Sequence, residues 1–158
     1  MTEPPYVDPM DIYSDPRSIT PSPGRLATIF QLRVREATPE KPGRDLTVLW
    51  DARRPFMVAK YVYLVNLHAP GHFAGNHFHG VKEEMFHLVS GKATLYLADL
   101  ATGAREQIEL DASLHQAIYI APPIAHAVVA QMDNTVLLVI ASHPNTLDDE
   151  FALSVSLV

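Results

Sequence analysis

The chain has 158 residues, 47% of them hydrophobic and 19% charged. This suits one folded, globular domain with its own core, which need not be disordered. Lys and Arg total 12 against 18 Asp and Glu, a net charge of -6 at pH 7, and no cationic cluster stands out that could track a phosphate backbone, so nucleic acid is not an expected partner. Cysteine is absent, which removes disulfides, thiolate metal sites and a cysteine nucleophile and leaves His, Asp and Glu as ligands and bases.

The start, Met1-Thr2-Glu3-Pro4-Pro5, has neither the basic residues nor the apolar run of an export signal. The longest apolar run, Val136 to Ala141, is far below the ~20 residues of a membrane span. A cytoplasmic protein without membrane contact is expected. Six of the thirteen prolines precede Gly24, so residues 1–24 read as an extended arm that cannot form a regular helix or central strand. Such a segment is expected to be disordered; the alternative is that its apolar residues, Tyr6, Val7, Met10, Ile12, Tyr13 and Ile19, lie along a neighbouring surface or a second subunit.

Residues 25–158 read as the domain proper. Leu26, Thr28, Phe30, Leu32 and Val34 alternate with polar neighbours as a first strand, and Leu46 to Trp50 forms a second. Further strands are expected at Phe56 to Leu67, Glu84 to Val89, Lys92 to Ala98, Arg105 to Leu110, Gln116 to Ile120, His126 to Ala130 and Thr135 to Ala141. Turn signals divide them: Ser90-Gly91, Ala101-Thr102-Gly103, Pro122-Pro123 and Asp133-Asn134. Thr146 with the acidic residues after it suits one short closing helix. The pattern is that of an all-β sandwich or barrel.

Five of the eight histidines lie between His68 and His87. His77-Phe78-His79 follows a Gly- and Pro-containing loop, Ala69 to Asn76. In an extended segment residues i and i+2 share a face, so His77 and His79 present two imidazoles to one side, as a strand does for a metal. Glu84 opens the next strand, and a hairpin folding back would bring it opposite the pair as a third ligand. His126, set by the Pro122-Pro123 turn at the head of an apolar strand, is the fourth. Three imidazoles and one carboxylate suit Zn, Fe, Mn, Ni or Cu without choosing among them.

Of the other histidines, His68 and His72 belong to the loop before the pair, beside the mouth of any pocket or in solvent. His87 falls on the strand face opposite Glu84, and His115 and His143 read as surface residues. Trp50 reads as a core or interface aromatic.

Gly71, five residues, His77-Phe78-His79, four residues, Glu84, six residues and Gly91 match the first motif of the RmlC-like cupin superfamily, which the chain resembles. Of the second cupin motif His126 is kept, while Pro123 and Ala121 stand where the family has Gly and Pro. The resemblance implies a cupin double-stranded β-helix, a jelly-roll barrel.

Within that superfamily, Arg44 to Leu49, Pro55 to Leu64, Ile118 to Pro123 and Leu138 to Ser142 are similar to successive blocks of the sugar-nucleotide 3,4-ketoisomerase and WxcM-like cupins. Gly75 to His79 with Lys82 and Glu84 is also similar to the cupin domains attached to polysaccharide-biosynthesis enzymes. This chain departs from the ketoisomerases at Ala74, where they usually carry Arg, and at Gly80 and Glu84, where they tend to carry Lys and Gln. The last two changes point toward a metal.

The resemblance implies an isomerase or epimerase acting on a keto-bearing small molecule, such as a sugar nucleotide, in deoxysugar, polysaccharide or secondary-metabolite biosynthesis. A metal would polarise the substrate carbonyl while a base moved a proton between adjacent carbons. Without one, His77 and His79 would carry the proton themselves. One of Tyr61 and Tyr63 is expected inside the barrel, and the family reading makes Tyr63 and Tyr119 hydrogen-bond donors to substrate oxygens. Exposed strand edges and the arm suit a homodimer. The rival readings are a metal-dependent cupin oxygenase using the same four ligands and a non-catalytic small-molecule-binding cupin.

Overall fold

Short β-branched and aromatic runs punctuated by Gly, Pro and Asn favour strands over helices, and strands are what forms. The protein is described by a computed structural model over residues 24–32, 34–50 and 57–158. Except for Gly24, the arm lies outside the described residues, as does Phe56. The strands are β1 (Thr28–Gln31), β2 (Val34–Arg35), β3 (Leu46–Thr47), β4 (Tyr61–Leu67), β5 (Phe73–Phe78), β6 (Glu84–Ser90), β7 (Lys92–Ala98), β8 (Arg105–Asp111), β9 (Gln116–Ile120), β10 (Ala125–Ala130), β11 (Thr135–Ala141) and β12 (Phe151–Ala152). No helix among the described residues is long and apolar enough to cross a membrane.

Two five-stranded antiparallel sheets face each other as a jelly roll, ordered β1-β9-β6-β11-β4 and β12-β5-β10-β7-β8. Between them lies the main core, with Phe86, Leu88, Ile118, Ile120, Leu137 and Val139 from the first sheet against Leu95, Leu97, Ile108, Leu110 and Val128 from the second. Both outer faces are also partly covered. Met85, Ala117, Tyr119 and Ile140 pack under Phe30, Leu32 and Met57, and Ala98, Ala125 and Ala127 pack with Leu157. Burying both faces makes alternation a weak guide to which side of a strand points inward.

Several elements differ from the sequence reading. The first expected strand is two, because β1 pairs with β9 whereas β2 pairs with β3 in a separate ribbon. Leu49 and Trp50 leave the expected second strand to pack on the outer cluster, where the Trp50 indole donates to the Met57 carbonyl at 3.1 Å. The expected closing helix is a single 3-10 turn, Leu147–Asp149. Thr146 makes no side-chain cap bond there, and the chain then extends into β12.

The expected loop Ala69 to Asn76 is half strand. Low β-propensity in Ala74 and Gly75 hides β5 in the sequence, but pairing with β10 supplies the order. Ala74 pairs with Val128 and Gly75 with Ala127, but His77 pairs with His126, leaving Asn76 as an extra residue. Ala74 faces the core. Strict alternation would therefore turn Phe78 inward and both histidines outward; the bulge at Asn76 reverses that phase.

Gly75 and Asn76 take left-handed φ of +85° and +67°. Asn76 holds the bulge open by donating to Ser156 Oγ at 3.0 Å and accepting from the Leu157 amide at 2.8 Å. A Cβ on Gly75 would sit 2.8 Å from the His126 carbonyl oxygen. Gly75→Ala is expected to cost about 2 kcal/mol or more of unfolding free energy. Gly103→Ala, at a similar φ of +75° but with nothing within 4 Å of the new methyl, should cost only about 1 kcal/mol. Equal losses in denaturant melts would show that the close approach of β10 at Gly75 does not matter.

Candidate active site

The bulge in β5 sets His77 beside His126, and His79 follows one step past the strand on the same inner side. Their ring centroids lie 4.7 Å (His77–His79), 5.1 Å (His77–His126) and 5.6 Å (His79–His126) apart. One ligating nitrogen from each falls within 4.8 Å of the others. His79 and His126 are buried at 3% exposure, whereas the His77 side chain keeps 19%.

Glu84 reaches this group differently from the expected hairpin. β5 and β6 belong to opposite sheets, because residues 79–83 cross between them. The carboxylate therefore meets the histidines across the sandwich and not as a strand neighbour. Its Oε2 lies 2.9 Å from His126 Nε2 and 3.6 Å from His79 Nε2. Its Oε1 accepts from the Tyr63 hydroxyl at 3.0 Å and pairs with Lys82 Nζ at 3.3 Å. Lys82 is itself buried and donates to Asn145 Oδ1.

The outer nitrogen of each imidazole is already engaged. His79 Nδ1 donates to the Asp149 carbonyl at 2.6 Å, His126 Nδ1 to the Ile124 carbonyl at 3.1 Å, and His77 Nδ1 lies 3.2 Å from Glu150 Oε1. A carbonyl only accepts, so His79 and His126 carry a proton on Nδ1, while His126 Nε2 faces Glu84 Oε2 at hydrogen-bond distance. His79 Nε2 is buried without a hydrogen-bond partner, and Glu84 Oε2 has only the Nε2 atoms of His126 and His79 beside it.

Burial, then His126 and His79, holds the His77 imidazole down at about 4 against the pull of Glu150 and Glu84, so it is neutral at pH 7. Burial likewise lowers His79. For Glu84 burial works upward, but the hydrogen bond and charge of His126, with Lys82 and His79, outweigh it and hold the carboxyl at about 2. Burial and then Glu84 push the Tyr63 phenol far up, so it stays protonated.

Tyr61 and Tyr63 both face inward, since they are two residues apart on β4; their rings lie 5.3 Å apart. Tyr119 does not join the group. It pairs with Met85 on the outer face of its sheet and donates to Glu83. His68 and His72 are exposed beyond the opposite end of β4 and do not line the site. His87 is on the outer face, its Nδ1 on the Gln116 carbonyl at 2.9 Å; His115 and His143 are exposed.

The sequence reading missed the roles of Lys82, Asn145, Asp149 and Glu150. The last three come from a segment more than sixty residues away in sequence. Only the lysine offered a local signal, a cation two residues before the Glu84 carboxylate.

The model of the polysaccharide biosynthesis C-terminal domain family matches residues 59–150. The chain belongs to this family. The match takes in Tyr61, Tyr63, His77, His79, Lys82, Glu84, His126, Asp149 and Glu150. No curated protein sequence matches the chain.

Among solved structures it is similar to the sugar 3,4-ketoisomerase QdtA from Thermoanaerobacterium thermosaccharolyticum in complex with TDP (TM-score 0.69, 19% identity, 82% of this chain and 89% of that one). It is also similar to the WlaRB TDP-quinovose 3,4-ketoisomerase from Campylobacter jejuni (0.68, 21%, 80% and 92%). A third is NovW, a 4-keto-6-deoxy sugar epimerase from the novobiocin cluster of Streptomyces spheroides (0.69, 20%, 84% and 71%). At these identities the likeness shows the fold alone, a cupin-type jelly roll.

In this family member the Asp149 carboxylate clamps the crossing segment by accepting the amides of Gly80, Val81 and Lys82 at 2.9, 3.0 and 2.9 Å. Asp149→Ala is expected to lower the unfolding free energy by about 2 kcal/mol and to speed amide hydrogen exchange at those three residues. Unchanged exchange there would show that the clamp does not order the segment.

Proposed function

We propose that the protein isomerises or epimerises a keto-bearing small molecule of the sugar-nucleotide kind, with a divalent transition metal (Zn, Fe, Mn, Ni or Cu) as cofactor. The observation that carries this reading is the convergence of three inward imidazoles and one carboxylate oxygen within the sandwich. The fold likeness to sugar-nucleotide isomerases and epimerases supports the reaction class.

The residues present fit such a metal. His79 Nε2 is buried with no hydrogen-bond partner, and Glu84 Oε2 faces only imidazole nitrogens. The outer Nδ1 bonds to Asp149, Ile124 and Glu150 are those that orient metal-binding histidines. His77, His79 and His126 would hold the ion, with Glu84 as fourth ligand. When bound it would supply Lewis acidity toward the substrate carbonyl. The protonated Tyr63 hydroxyl stands beside the same carboxylate as a neutral donor that can turn to a substrate oxygen. Tyr119, on the outer face, has no part in this reading.

A second reading rests on His77 alone. Neutral at pH 7, partly exposed and steadied at Nδ1 by Glu150, its Nε2 can take a proton from the carbon beside a ketone. It would return that proton at the neighbouring carbon through an enediol, without a metal.

We further propose a homodimer, supported by Val62 and Leu64. They stay 60% and 57% exposed on the edge strand β4 beside the outer apolar cluster. Sedimentation at twice the 17.5 kDa chain mass is expected, and a monomer would contradict it.

Turnover of TDP-4-keto-6-deoxyglucose, the sugar in one complex of QdtA, in deuterium oxide is expected to place deuterium beside the carbonyl without oxygen uptake. Oxygen consumption without deuterium exchange would sink the isomerase and favour an oxygenase. Stoichiometric binding with neither would leave a binding protein. His79→Ala is expected to lose metal and activity together while circular dichroism stays unchanged; full metal occupancy in that variant would contradict the ligand set.

A further inference from the structure

A lysine that is 3% exposed inside a protein needs a reason. Lys82 lies at the end of the segment that crosses from β5 to β6, its amide on Asp149 Oδ2 at 2.9 Å. Its ammonium is aimed at Glu84 Oε1, 3.3 Å away, and at Asn145 Oδ1. The same Oε1 accepts from Tyr63. The two oxygens of one buried carboxylate therefore have different surroundings: Oε1 has an ammonium and a phenol, and Oε2 has only the histidine nitrogens.

We propose that Lys82 is a positioning residue that, with Tyr63, occupies Oε1 of Glu84 so that this carboxylate can offer only Oε2 to a cation held by the three histidines. This rests on the metal reading above. Lys82 also offsets the carboxylate charge. With three neutral imidazoles the ligand set and its lysine sum to zero, so a divalent ion there keeps its full charge for polarising a substrate. With Lys82 gone, Glu84 is free to swing both oxygens toward the ion.

This assigns opposite effects to one substitution. Lys82→Met removes the counter-charge of a buried carboxylate, so the metal-free protein loses stability. It also removes a cation facing the bound ion and frees a second oxygen, so the metal is held more tightly. A lysine needed only for packing would weaken both.

The test titrates chelator-stripped wild type, Lys82→Met, Lys82→Gln and Tyr63→Phe with Co(II), followed by visible absorption, with thermal melts in the metal-free and Co(II)-loaded states. Both lysine variants are expected to melt lower without metal and to bind Co(II) roughly tenfold more tightly. Their d–d bands should weaken as a further oxygen enters the coordination sphere. Tyr63→Phe, which frees Oε1 without a change of charge, should shift the spectrum in the same direction and the affinity less. Wild type that binds Co(II) beside lysine variants of equal or weaker affinity and unaltered spectrum overturns the role of Lys82 alone. Wild type that binds no Co(II) overturns the metal reading and this inference with it. Tyr63→Phe reads the occupancy of Oε1 even where the lysine variants do not fold.

Discussion

A strand sends its side chains to alternate faces, so one residue gained or lost in its pairing exchanges a whole row between core and outer surface. In β5 the row facing the core starts with Ala74, and the extra residue Asn76 hands the inward position to His77 and His79. The cost is two consecutive left-handed residues, and the sequence meets it with the types that tolerate them, Gly75 and Asn76. The Asn76 side chain then ties the bulge to Ser156 and Leu157. The C-terminal segment is thus part of the site: it fixes the bulge, clamps the crossing loop through Asp149 and orients two imidazoles through Asp149 and Glu150.

What results is a polar cluster in an otherwise apolar interior, where an unpaired group is expensive. Most of its atoms are satisfied from outside the cluster, which leaves His79 Nε2 unpartnered and one oxygen of Glu84 facing only imidazole nitrogens. With its charge offset by Lys82 and one oxygen claimed by Tyr63, the buried Glu84 carboxylate is restrained on the side away from the histidines.

Much of this was legible in the sequence. The spacing from Gly71 to Gly91 marks the cupin motif, and the four residues it and His126 supply are brought together. The all-β architecture followed from turn spacing.

The errors share a cause. Alternation names the two faces of a strand but not which is inner, and here both faces of the first sheet are apolar: Ile118 and Ile120 point to one core and Tyr119 to the other. Tyr119 was therefore indistinguishable from a pocket tyrosine. Glu84 was assigned to a hairpin because proximity in sequence suggests pairing, whereas the short crossing at 79–83 carries the chain to the opposite sheet. Asp149 and Glu150 act through contacts some seventy residues away, for which a single sequence holds no signal.

The most direct test of this account is the metal content of the native protein, purified without chelators or a metal-affinity tag and measured as moles of each element per chain. The account predicts close to one equivalent of one divalent transition metal. No metal, and none taken up on reconstitution, would contradict it and return the three histidines to proton transfer.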